Sequence, residues 1–155
     1  MEAVALFTWL IAAFGGFYLL GTWIARGGLR SSRSSRLPRP LVLVHFLLAG
    51  TGLVAWIAYL ATDERKFAWY AFILLVPVAL LGLIMFAFWM PSARSRPTES
   101  AVSWNTQHRA PTPAPKKAGR EVAERHFPIE VVLVHGVFAV ATVVLVLFTA
   151  LQTRS

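Results

Sequence analysis

Leu37-Pro-Arg-Pro-Leu-Val-Leu-Val-His45 and Phe127-Pro-Ile-Glu-Val-Val-Leu-Val-His135 decide how this chain is read. Laid over each other at a constant offset of 90, they agree at five of nine positions. Matches of Val and Leu are cheap in apolar helices, whereas Pro38 with Pro128 and His45 with His135 are not. Each stretch runs from a proline, suited to the start of a helix, into a long apolar segment that carries one histidine near its beginning. The register continues to Ala49 and Ala139.

Outward from these stretches lie four segments long enough for a bilayer core, which takes about 20 helical residues. They run over 3–25, 41–61, 67–90 and 129–151, and none contains Lys, Arg or Asp. Glu130, in the first turn of the fourth, is the carboxylate they hold. Without water the backbone must satisfy itself, so each segment is expected to be a helix. The first is too long for the apolar core of a signal peptide and is preceded by Glu2 rather than by basic residues. The whole chain agrees: of 155 residues 57% are hydrophobic and 14% charged, with mean hydropathy +0.61. A water-soluble domain is about a quarter charged. With no cysteine, iron–sulfur clusters, thiolate metal sites and thiol catalysis are excluded.

A net charge of +8 on so apolar a chain orients it. The first connection holds Arg26, Arg30, Arg33, Arg36 and Arg39 with no acid, and the third holds seven basic and three acidic residues. The second, Asp63-Glu64-Arg65-Lys66, sums to zero. Arg and Lys collect on the cytoplasmic side, so the first and third connections are expected inside and both termini outside. Trp23 and Trp89 would then belong to the inner aromatic belt and Trp69 to the outer one. The basic loops suit anionic lipid headgroups, at about 1 kcal/mol per basic residue near the surface. Orientation accounts for the charge, so nucleic acid is not an expected partner. Residues 91–128, rich in Pro, Ser and Thr, read as a flexible basic cytoplasmic loop that ends in a helical turn or two before His126. Arg outnumbers Lys twelve to three, a bias of GC-rich bacterial genomes, and the expected location is a bacterial plasma membrane.

The first and third segments also match, at an offset of 66: Ala13 with Ala79, Gly16 with Gly82, Trp23 with Trp89. The fold expected is therefore an all-α, integral membrane four-helix bundle, a single domain built from two helical hairpins of the same orientation. Such parallel repeats are related by an axis along the membrane normal. His45 and His135 would then sit at equal depth, roughly 6–9 Å below the inner boundary at about 1.5 Å per residue.

Read up the helix from His45 come Ala49, Gly52 and Trp56; from His135 come Ala139, Thr142 and Val146. Small residues one and two turns above each imidazole leave room for a neighbouring helix or a flat group. Ionisable residues in a membrane face the bundle interior and often mark function. One reading of the pair is axial ligation of a b-type haem, with Met85 on the third segment as a substitute ligand. A bare metal site is incomplete with two imidazoles and no converging carboxylates or thiolates. The other reading is that each imidazole bonds a carbonyl or Thr on the adjacent helix and serves packing alone.

Thr8, Ala12 and Gly16, spaced by four, make a small-residue stripe for close helix contact. Pro77 falls mid-helix, where it removes one backbone bond and favours a kink. Glu130 and Arg39 head corresponding helices and are expected to pair at the inner interface. His108 and His126 are expected in water. No phosphate loop, nucleophile elbow, zincin helix or paired carboxylates occur, so the chain is not expected to be an enzyme. The leading reading is an accessory or assembly subunit packing against other membrane proteins. The alternative is a haem electron carrier using His45 and His135, and a transporter component comes third.

Overall fold

The computed structural model describes residues 1–29, 35, 37–94 and 123–152. Four long helices account for most of them: α1 Glu2–Ala25, α2 Arg39–Thr62, α3 Arg65–Arg94 and α4 Ile129–Gln152. Each contains one of the expected apolar segments, and no strand occurs among the described residues. All four are long and apolar enough to cross a membrane. α3 is helical through Pro77 and continues to Arg94, four residues beyond the apolar run. A 3₁₀ turn at Ala123–His126 precedes α4. The central part of the expected cytoplasmic loop, 95–122, with His108, lies outside the described residues.

The helix ends follow local chemistry. Pro38, extended at φ −62° and ψ 127°, opens α2, and Pro40 stands in its first turn, where no N–H is missed. Asp63 turns left-handed (φ 57°) to stop α2, with its N–H donating to Tyr59 O at 2.8 Å. At the end of α1 Gly27 takes φ 85°, and Gly28 donates to Trp23 O at 2.9 Å. A Cβ at Gly28 would fall 2.2 Å from the Trp23 ring, so glycine is what lets the chain fold back over the indole.

Around the bundle the neighbours are α1 with α4, α4 with α3, and α3 with α2. α1 and α2 touch least, while α1/α3 and α2/α4 lie across the two diagonals. One end gathers Trp23, Leu37, Val42, Trp89, Ala123 and Phe127. The other gathers Ala5, Trp9, Trp56, Tyr59, Leu75 and Val146. The first group joins C-terminal parts of α1 and α3 to N-terminal parts of α2 and α4, so the helices alternate up and down. The sequence places the arginines of the first connection at that end, called here the basic end.

Most large apolar side chains point outward: Phe14 is 74% exposed, Val54 67% and Leu47 65%. The interior instead has large aromatic rings at its two ends, Trp23 and Trp89 at one and Trp9, Trp56 and Tyr59 at the other, with small alanines and the hydroxyls of Thr8, Thr142 and Thr149 buried among the helices. Where the surroundings are as apolar as the core, helices gain by close packing and interhelical hydrogen bonds rather than by burying oil. Thr142 Oγ1 lies 3.1 Å from Thr8 Oγ1 on α1 and 2.7 Å from Phe138 O on its own helix. At the end away from the arginines, Tyr59 donates to Glu2 Oε1 at 2.6 Å and ties α2 to α1.

Candidate functional site: an imidazole pair in an apolar cavity

His45 is the seventh residue of α2 and His135 the seventh of α4. Each is therefore about 9 Å along its helix at 1.5 Å per residue. Both helices start at the basic end, which brings the two rings to one level. Each imidazole is held by the helix beside it. His45 Nδ1 lies 3.0 Å from Val78 O on α3, and His135 Nδ1 lies 2.7 Å from Ala12 O on α1. A carbonyl oxygen only accepts, so Nδ1 carries a proton in both rings, and in the neutral form of such a ring Nε2 bears the lone pair. Neither Nε2 has a hydrogen-bond partner among the described residues.

Glycines make this seating possible. A Cβ at Gly16 would stand 3.1 Å from Cε1 of His135, and one at Gly15 would stand 3.2 Å from its Cβ. Gly82 also faces His45, less tightly: a Cβ there would stand 3.4 Å from Cε1, an ordinary contact. Bulkier residues would push each imidazole away from its carbonyl.

The rings face each other across the α2/α4 diagonal, with centroids 6.5 Å apart and planes at 62°. They open onto one cavity of about 280 Å³. The cavity extends toward the basic end as far as Trp23 and Trp89 and toward the other end as far as Trp9 and Leu75. On the second diagonal its walls are Ala12, Ala13 and Gly16 of α1 and Val78, Ala79 and Gly82 of α3. Two imidazoles bound to opposite sides of one metal ion have centroids about 6 Å apart, from bonds of about 2 Å plus the ring radius. The observed separation matches that requirement.

The residues singled out in the sequence fall as follows. Ala49 and Ala139 line the cavity beside the histidines, and Met85 lines it nearer the basic end. The Thr8, Ala12 and Gly16 stripe faces α4, through Thr142 and His135. Gly52 is buried, with room for a Cβ only 3.2 Å from the Trp9 ring. Arg39 and Glu130 are not joined: among the described residues the ion pair is Lys66 with Glu64. α2 and α4 lie on a diagonal and share no close backbone contact. Trp23 and Trp89 do not stand outward as a belt. They are 1% and 6% exposed and cap the cavity, with Trp23 Nε1 donating to Ser35 Oγ at 2.8 Å. His126 is half-buried rather than surrounded by water. Among the described residues no group of three or more His, Asp or Glu could hold a bare metal ion.

The sequence led us to expect a carbonyl or Thr on the adjacent helix for each ring but did not name the residues, Ala12 and Val78, although a signal was there. They differ by 66, the same offset that relates Gly16 to Gly82. Side-chain identity conceals it, because Ala and Val offer the same backbone oxygen. Compared with family models, curated proteins and solved structures, the chain matches none.

Proposed function

We propose that this is a multi-pass membrane protein that holds one b-type haem between His45 and His135 and passes electrons through it. The observation that carries the reading is the imidazole pair: two rings 6.5 Å apart on one cavity, each with Nδ1 tied to a carbonyl and Nε2 without a partner among the described residues. A hydrogen bond from Nδ1 to a backbone carbonyl is how proteins fix the tautomer and orientation of a metal-binding histidine. Two neutral imidazoles on haem iron make a low-spin centre suited to electron transfer. The cavity is small for a porphyrin, so the macrocycle rim would extend beyond the enclosed volume.

The reading includes a duplicated hairpin. Supporting it, buried positions recur at the two offsets: Ala5 with Ala71, Trp9 with Leu75 and Ala12 with Val78 at 66, and Gly52 with Thr142, Trp56 with Val146 and Tyr59 with Thr149 at 90. The two histidine bonds are one bond occurring twice. A pseudo-two-fold axis along the membrane normal would pass between the rings, where an iron would sit. We place the chain in a bacterial plasma membrane, with the basic end on anionic headgroups inside and both termini outside.

The test is a dithionite-reduced minus oxidised spectrum of protein purified in mild detergent from haem-replete cells. A sharp low-spin b-type difference at one haem per chain is expected, and a flat trace from folded protein removes the reading. The second reading, an accessory subunit whose histidines only pack, is favoured by the Nδ1 bonds and glycine seats, which satisfy each ring's donor without any ligand. It predicts that flat trace.

A further inference from the structure

The cavity is more symmetric than the sequence, and it breaks that symmetry in one place. Its walls pair off at the two offsets: Gly16 with Gly82, Ala49 with Ala139, Leu53 with Val143 and so on around the site. Apart from Thr142, the wall residues whose counterparts are off the wall are Phe17, Leu20, Phe46 and Gly50. All four belong to α1 and α2. Phe17 and Leu20 share one face of α1, and Phe46 and Gly50 share one face of α2. Their counterparts, Leu83, Phe86, Gly136 and Val140, do not border the cavity.

This is also where the bundle is loosest. α1 and α2 touch least among neighbouring helices, whereas α3 and α4 pack closely. Phe17 meets Phe46 edge to face, with centroids 5.2 Å apart, at the seam. Gly50 is exposed, and a Cβ added there would meet nothing within 4 Å. The two ends, in contrast, are plugged by the Trp23/Trp89 and Trp9/Trp56 groups. The cavity therefore opens sideways, at the level of the histidines, onto the exposed apolar belt that includes Phe14 and Leu47.

We propose that this opening is the place where a lipid-dissolved quinone exchanges electrons with the haem, an inference that rests on the haem reading above. A molecule arriving there must dissolve in lipid, slip between two phenyl rings and be redox-active, which describes a quinone ring. Two ferrous haems, each giving up one electron, reduce one quinone to quinol, and the two protons come from water. Among the described residues the two histidines are the ionisable groups on the cavity wall, and as haem ligands with Nδ1 held by a carbonyl they would not be the proton source.

The experiment uses full-length haem-loaded protein in anoxic neutral-lipid nanodiscs, reduced and freed of dithionite. Haem oxidation is followed after mixing with a short-chain ubiquinone analogue and, separately, with water-soluble ferricyanide. Gly50→Phe, loaded to the same haem content as wild type, should slow oxidation by the quinone about tenfold relative to its own ferricyanide rate, as a blocked access step does. Val140→Phe, at the corresponding position on the closed seam, should change neither rate. Phe17→Ala widens the opening and should speed the quinone reaction, which keeps the proposal testable if the phenylalanine at position 50 unfolds the protein. Equal quinone rates in wild type, Gly50→Phe and Phe17→Ala overturn it. So does a wild type that ferricyanide oxidises and the quinone does not, which would leave the opening to lipid acyl chains. A sample with no haem spectrum before mixing removes the haem reading itself and is seen as a separate failure.

Discussion

Around the histidines the two halves of the molecule are nearly interchangeable, whereas away from the arginines they are not. At the level of the rings, α1 and α3 offer Ala12 with Gly16 and Val78 with Gly82, and α2 and α4 each offer a histidine with an alanine four residues on. At the far end, Trp9, Trp56 and Tyr59 of the first half stand where Leu75, Val146 and Thr149 stand in the second. The difference teaches what each region requires. A histidine that must reach a carbonyl on the next helix needs a gap in one place, and glycine meets the need in both halves. Plugging one end of a bundle needs only volume, so a tryptophan in one half can be balanced by a leucine in the other.

The largest effect expected from breaking the symmetric region is loss of the haem signal altogether in His45→Ala, and equally in His135→Ala, read from the redox difference spectrum. Unequal losses would mean that the rings are not equivalent ligands. Next comes Gly16→Leu, which should displace His135 and cost about 1–3 kcal/mol in detergent unfolding, as overpacking does. Gly136→Leu, on an open surface with nothing within 4 Å of its Cβ, should be near neutral in the same measurement. At the divergent end, Tyr59→Phe removes an interhelical bond to Glu2 and should cost about 0.6–2 kcal/mol. The smallest effect belongs to its counterpart: among the described residues Thr149 bonds Leu145 O of its own helix and no other helix, so Thr149→Val should cost less than Tyr59→Phe, under about 0.6 kcal/mol.

The four helices were legible because long uncharged apolar runs permit little else. The histidine pair was legible because two prolines and two histidines keep one spacing in otherwise variable apolar sequence. What escaped was everything that depends on which helices become neighbours. Arg39 and Glu130 look like partners when α2 and α4 are written side by side, but those helices lie on a diagonal. Trp23 and Trp89 have the composition of a belt, and only the folding-back of Gly28 and the 3₁₀ turn shows that they are plugs. The carbonyls of Ala12 and Val78 are invisible for another reason, since any residue can supply them. Membrane orientation, read from the arginines, stays an expectation drawn from charge.

The central claim is that His45 and His135 clasp one iron between them. It is tested most directly by titrating haemin into the haem-free protein in detergent and following the low-spin absorption band. The account predicts a sharp end point at one haemin per chain, absent from the His45→Ala/His135→Ala double variant. Unsaturable binding, or the same titration curve from the double variant, would contradict it.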